Sequence, residues 1–243
     1  MGGAFYDDGE LFERYRSAVT AGPWSANFVM EEPALLDALG DVRGQRVLDL
    51  GCGDASIGRS LLEAGCRSYL GIDASARMIE AARDALLGTE GEARQDTIES
   101  FTAPPASFDA VISRVALHYV EDLDAALAAC RDCLGSGGRM VFSVIHPVVT
   151  SHDARGAGGE QRTAWEVDDY FDEGPRELDW LGERVVWHHR TVERYVASFQ
   201  AAGFRLTTLS ECPPRPERFG DQHDELARRT RMPLFLLLAG ERD

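Results

Sequence analysis

A doubly wound α/β fold built on a seven-stranded, mostly parallel sheet is the architecture the sequence predicts. Three observations carry that expectation. From Gln45 onward, short apolar segments alternate with amphipathic ones, the order that right-handed crossovers turn into a parallel sheet covered on both faces. The first apolar segment runs straight into two glycines at spacing two, and a helix opens behind them. The chain has 243 residues, 44 % hydrophobic and 27 % charged, a globular composition long enough to bury a core without disulfides or metals.

The elements follow in order. Residues 1–40 read as an N-terminal helical cap, with helices over 10–19 and 27–39 separated by the Gly22-Pro23 break. Residues 41–146 form the core. It holds strands at 46–50, 69–72, 93–95, 108–113 and 138–145, with helices at 56–64, 75–87 and 122–134 between them. Residues 147–190 break the alternation: Gly, Asp, Glu and aromatic residues of weak periodicity predict an insertion over the carboxyl edge of the sheet. A helix over 192–202 resumes and ends at Gly203, where glycine takes the left-handed cap. A strand at 204–209, a helix at 221–229 and a strand at 233–239 beginning with Pro233 suit an edge hairpin that closes the sheet, all within one domain.

Charge narrows the partners. Twenty-five basic residues, all arginine, against 41 acidic ones give a net charge of −16. That sign opposes a phosphate backbone and an anionic membrane, so neither nucleic acid nor a lipid surface is an expected partner. The longest apolar run, residues 234–240, is strand-sized, far below the ~18 to 20 residues of a membrane helix. The first eight residues are acidic and lack the basic-then-apolar order of a leader, so a cytoplasmic protein is expected. Cys52, Cys66, Cys130, Cys133 and Cys212 are scattered and odd in number, as reduced thiols are. Cys130 and Cys133 have CxxC spacing but lie in a helical pattern with no second pair, which favours packing over metal; no metal site is expected. No long apolar surface stripe stands out, so monomer and homodimer both stay open.

The segment Val47-Leu48-Asp49-Leu50-Gly51-Cys52-Gly53-Asp54-Ala55-Ser56-Ile57-Gly58 is the most informative. Glycine there admits unusual backbone angles and lets a ligand approach the main chain. A dinucleotide loop wants GxGxxG, yet the third position is Ser56, and Asp49 inside the strand would repel a pyrophosphate. An ammonium would be attracted. Twenty-four residues after Asp49, Asp73 ends the next strand, where a carboxylate accepts ribose hydroxyls. A ligand with a ribose and a cationic end is called for, and S-adenosylmethionine has both.

The segment Asp49 to Gly58 resembles motif I of the class I S-adenosylmethionine-dependent methyltransferases. Ile72-Asp73-Ala74-Ser75-Ala76-Arg77-Met78 is similar to their second motif. Ser107-Phe108-Asp109-Ala110-Val111-Ile112-Ser113, followed by Ala116-Leu117-His118-Tyr119-Val120, is similar to the fourth. Leu134-Gly135-Ser136-Gly137-Gly138-Arg139-Met140-Val141-Phe142-Ser143 resembles the segment after it, with Ser136 where Pro is usual. The likeness covers roughly residues 40 to 146. It implies that Gly51, Cys52 and Gly53 pass the methionine part over backbone, with Asp49 near its ammonium group. It further implies that Asp73 and Ala74 meet the ribose, that Met78 packs on adenine, and that Asp96 and Thr97 hold the adenine edge. Asp96 lies in Gln95-Asp96-Thr97-Ile98-Glu99, a departure from the common form. Ser113 or Arg114 would face the methionine end. Plain core packing is the competing reading of Met78.

The activity so implied is methyl transfer to an oxygen or nitrogen, less readily a carbon, of a small molecule. The alternative is a cofactor-binding protein of the same fold without methyl transfer, or with another reaction. A nicotinamide oxidoreductase is disfavoured by Ser56, by Asp49 and by the absence of any Tyr-x-x-x-Lys pair. Displacement at a sulfonium methyl needs positioning and exclusion of water, plus a base only where the acceptor must lose a proton. His146 and His118, past the ends of the fifth and fourth strands, are the candidate bases, with structural hydrogen bonding as the competing role. Tyr6, Tyr15, Tyr119 and His146 are candidate acceptor contacts. Aromatic residues concentrate in the two cap segments, where they suit either a flat acceptor or an apolar seam.

Overall fold

The computed structural model describes Asp7, Gly9 and residues 25–151, 164–180 and 182–242. The helix expected over 10–19 and the candidate contacts Tyr6 and Tyr15 lie outside the described residues. A π-type turn, Asn27–Glu31, leads into α1 (Glu32–Leu39), which carries Pro33 where a helix needs no N–H. The alternating core is β1 (Arg46–Leu50), α2 (Ser56–Glu63), β2 (Ser68–Asp73), α3 (Ala76–Ala85), β3 (Gly91–Gln95), β4 (Phe108–Arg114), α4 (Leu123–Cys133) and β5 (Leu134–Ile145). After it come a single helical turn, α5 (Pro147–Thr150), then β6 (Gly174–Trp180) and β7 (Glu183–His189). The chain finishes with α6 (Val192–Ala201), β8 (Phe204–Ser210), α7 (His223–Arg229) and β9 (Phe235–Arg242).

The seven strands order as β3-β2-β1-β4-β5-β9-β8, parallel through β5 and antiparallel at β5–β9 and β9–β8. Alternate residues of each strand feed two cores. Val47, Ile112, Leu237 and Ala239 face one with α1 and α2; Leu48, Val111, Leu236 and Leu238 face the other with α4 and α6. This two-sided burial is why the inner strands read as unbroken apolar runs. β9 lies inside the sheet and β8 on its edge, so Pro233 precedes an inner strand. The ladder starts only at Phe235, and the missing proline N–H removes no bond from it.

The described part of residues 147–190 holds more order than its composition suggests. β6 and β7 pair as a separate antiparallel hairpin, from Gly174 opposite His189 to Trp180 opposite Glu183. Its buried apolar residues are Leu178, Val185 and Trp187, packed with Tyr119 and Ile145. A hairpin that buries so little carries a faint period-2 signal, and the sequence shows it only as weak periodicity. Cys130 and Cys133 are buried in α4, where the Cys133 thiol donates to the Cys130 carbonyl.

Candidate cofactor and acceptor site

The strand order reverses beside β1. From β1 the chain runs outward to β2 and β3, then returns to the other side of β1 as β4. The loops after β1 and β4 therefore part at the carboxyl edge, where open α/β sheets bind ligands. Gly51 and Gly53 in the first loop hold φ of +73° and +55°, values a side chain rarely adopts. A Cβ on Gly51 would come 2.4 Å from the Ala116 Cβ, whereas one on Gly53 would meet nothing within 4 Å. One glycine lets the two loops touch; the other faces open space. In the second loop Val115, a β-branched residue, holds φ of +50°. Its N–H donates to the Ser143 carbonyl at 3.0 Å, which pins this strained backbone beside the crevice.

Asp73 closes β2. Its two carboxylate oxygens accept one N–H each, from Gly53 at 3.0 Å and from Ser75 at 2.9 Å. That fixes the group against the glycine loop and leaves further lone pairs for hydroxyl donors. Burial raises its pKa, against those two N–H groups. The half-buried Ala74 carbonyl accepts from Gln95 Nε2. Ser75 caps α3 by accepting from the Met78 N–H, and its own hydroxyl donates to the Asp7 carboxylate at 2.7 Å. Met78 is buried yet belongs to neither sheet core. Asp96 accepts the Thr97 N–H and the Ser100 hydroxyl on one oxygen, and Thr97 and Ser100 share a hydroxyl contact of 2.7 Å. The Asp96–Thr97 pair thus shapes the loop after β3. Its second carboxylate oxygen lies 4.0 Å from the Arg94 guanidinium.

Asp49 is buried in β1. Oδ2 accepts the Tyr69 hydroxyl at 2.6 Å, while Oδ1 has no hydrogen-bond partner among the described residues. Burial pushes its pKa up to about 7, against the pull of Tyr69 and Arg114. Cys52 beside it is also buried, and burial together with the Asp49 charge holds its thiol well above the ordinary value. An oxygen left bare inside the protein is the chemistry that an ammonium group completes.

Two residues expected at the methionine end make internal contacts. The Ser113 hydroxyl is buried and donates to the Leu50 carbonyl at 2.8 Å, tying β4 to β1. Arg114 turns to the N-terminal turn, where its Nη2 lies 2.6 Å from Glu31 and 3.5 Å from Glu32. Glu31 is fully buried and also accepts the Ser143 hydroxyl at 2.7 Å. Burial works against the Arg114 charge, but the Glu31 and Glu32 carboxylates more than offset it and raise its pKa. Nothing in the sequence singles out Glu31, because its partners are 83 and 112 residues away.

Past the ends of β4 and β5 the two histidines differ. His146 caps α5: Nδ1 accepts the Val148 N–H at 3.2 Å, which leaves the proton on Nε2 for Glu211 at 3.1 Å. Both nitrogens are engaged, one by the helix cap and one by Glu211. Burial lowers its pKa despite Glu211. His118 sits on the turn Leu117–Tyr119 and is 1 % exposed, with neither nitrogen partnered among the described residues. Burial, then the charge of Arg190, brings its pKa down to about 3. Its ring lies 4.4 Å from that of Tyr119 and 5.3 Å, edge-on, from that of Trp187 on β7. Arg190 is held by the carbonyls of Val120 and Glu121 at 2.7 and 2.6 Å. Among the described residues no group of His, Cys, Asp and Glu suits a metal ion, and no helix is long and apolar enough to cross a membrane.

The fold and these groups define a doubly wound α/β protein with its glycine loop and acidic groups gathered at the β1–β4 switch point. A family described as a methyltransferase domain matches residues 47–138. The structure of an S-adenosylmethionine-dependent methyltransferase from Mesorhizobium loti superposes with a TM-score of 0.79 and 34 % identity, over 89 % of this chain and 98 % of that one. An uncharacterized Haemophilus influenzae protein is 31 % identical over 85 % of both chains. A ubiquinone biosynthesis O-methyltransferase from Neisseria meningitidis is 32 % identical over 46 % of this chain and 48 % of its own. The chain belongs to the class I S-adenosylmethionine-dependent methyltransferase family.

Proposed function

We propose that this methyltransferase acts on an oxygen or nitrogen of a small molecule held beside the β6–β7 hairpin. The observation that carries this reading is His118. It is a buried imidazole with two unused nitrogens, walled by Tyr119 and Trp187 at the carboxyl edge of the sheet. Such a ring accepts a hydrogen bond from an O–H or N–H nucleophile and orients it. A pKa near 3 makes it a weak acceptor of the proton itself, so its role is orientation, with the proton passing on to solvent. The matching O-methyltransferase relative supports oxygen as one acceptor atom, over the half of the chain that it covers.

The cofactor supplies an electrophilic methyl group on a sulfonium. In this proposal the protein's residues hold and screen it. Asp73 and Ala74 take the ribose, Asp96 and Thr97 the adenine edge, and Met78 the adenine face. Gly51, Cys52 and Gly53 pass the amino-acid part over bare backbone, with Asp49 at its ammonium group. The hairpin of β6 and β7 walls one side of the acceptor through Trp187 and leaves its proton a route to solvent. The test is transfer of labelled methyl from S-adenosylmethionine to a panel of small phenols, hydroxy acids and amines, with a bulk RNA and a bulk protein arm. Label on at least one small oxygen or nitrogen acceptor is expected. Label confined to the macromolecules overturns the acceptor class.

A further inference from the structure

Asp49 and Tyr69 are diagonal neighbours on adjacent strands, since Tyr69 pairs with Val47 and Asp49 with Gly71. The space around the Tyr69 ring is made by absent side chains. A Cβ on Gly58, in α2, would come 2.3 Å from Tyr69 Cζ. A Cβ on Gly71 would come 2.7 Å from Cys52 Sγ and 3.1 Å from Tyr69 Cε1. The ring so seated puts its hydroxyl 2.6 Å from Asp49 Oδ2, and Oδ1 is left bare. A buried carboxylate oxygen without a donor is costly and calls for a reason.

We propose that Tyr69 is a positioning residue of the cofactor site: its hydroxyl fixes Asp49 so that Oδ1 meets the ammonium group of the cofactor's amino-acid end. This rests on the assignment of Asp49 to that ammonium. The groups facing Asp49 are Tyr69 and Asp73 from β2, Arg114 from the end of β4, Glu31 from the N-terminal turn and Cys52 from the glycine loop. Burial and the two carboxylates favour the neutral acid; Tyr69 and Arg114 favour the ion. An ammonium at Oδ1 adds to the second set, so affinity for it rises with pH as Asp49 ionises.

Calorimetry over pH 6 to 9 with two probes tests this. S-adenosylhomocysteine carries the ammonium; 5′-methylthioadenosine keeps adenine, ribose and sulfur but lacks the amino-acid end. Tyr69→Phe is expected to weaken S-adenosylhomocysteine about tenfold at pH 7, the scale of one hydrogen bond to a charged group. It should also move the pH dependence upward and leave 5′-methylthioadenosine within about twofold. Asp49→Asn, which keeps the shape, gives a second arm that does not depend on how Tyr69→Phe folds. It should weaken S-adenosylhomocysteine, flatten its pH dependence and spare the shorter probe. Equal losses on both probes, or none on S-adenosylhomocysteine, overturn the proposal for Tyr69. If wild-type protein binds the probes with equal affinity, or binds neither, the assignment of Asp49 fails first, and the proposal with it.

Discussion

The two ends of the carboxyl edge are built in opposite ways. At the cofactor end, the polar groups are anchored by short-range contacts within some 25 residues of sequence: Asp73 by Gly53 and Ser75, Asp49 by Tyr69. At the proposed acceptor end, His118 lies beside Trp187 and within the field of Arg190, about 70 residues further along, and neither gives it a hydrogen bond. The first end is satisfied except for one oxygen suited to a ligand. The second is an enclosure of aromatic rings and one guanidinium around an unsatisfied imidazole. The first is assembled by a local motif, whereas the second is assembled from segments far apart in the chain.

Glu31 lies on the seam between the ends, and removing it gives the largest expected effect. Glu31→Ala leaves the Arg114 guanidinium, only 16 % exposed, facing Glu32 at 3.5 Å and little else. Breaking a buried pair in this way costs about 3–5 kcal/mol. The denaturation midpoint should fall accordingly, with Glu31→Gln falling less because the shape and the Ser143 contact persist. A change within error would mean that Arg114 finds water or another carboxylate, and that the two ends are not tied through the N-terminal turn.

Asp73→Ala comes next and bears on the cofactor end alone. It removes the carboxylate that joins the glycine loop to the start of α3. Affinity for S-adenosylhomocysteine should fall at least about a hundredfold, near 2.8 kcal/mol at 1.4 kcal/mol per factor of ten. Thermal stability should fall as well, by about 1–3 kcal/mol, because the N–H of the buried Ser75 loses its acceptor. An unchanged affinity would detach the ribose from Asp73.

The contrast between the ends also explains what the sequence made legible. Strand and helix alternation, the glycine spacing and the placement of Asp73 are local patterns, and six of the seven sheet strands begin within two residues of where the pattern puts them. β5 begins earlier, at Leu134 rather than 138, because Gly135 and Gly137 carry no apolar signal even though Leu134 pairs with Phe108. The commitments of single side chains were hidden for a different reason. Ser113, Arg114 and His146 have the right residue types in the right places, but each is claimed by a partner far along the chain: Leu50, Glu31 and Glu211. Tyr69 left a faint trace, an aromatic residue four places before Asp73. Glu31 left none, since an acid at the end of an amphipathic turn usually faces water.

His118 gives the smallest effect on stability and the one that most sharply separates the two ends. Replacing a buried, unpartnered imidazole by an apolar side chain removes two unsatisfied nitrogens, so His118→Leu should raise stability by about 1–2 kcal/mol at pH 7.5 while lowering methyl transfer. The sign of the pH dependence follows from protons bound. The unfolded ring titrates near its ordinary 6.5 and the folded one near 3, so between those values the unfolded state holds more protons and wild-type stability falls with falling pH. Leu titrates nowhere, and the advantage of the variant should widen from pH 7.5 to pH 5. Asp49 acts oppositely: raised to about 7, it adds stability as pH falls from there toward its ordinary 3.8, equally in both proteins, and cancels from the comparison. Denaturant titrations of both proteins at the two pH values measure the difference directly. A variant less stable than wild type at both would show that the His118 nitrogens are satisfied in solution, and that the acceptor end is as fully paired as the cofactor end.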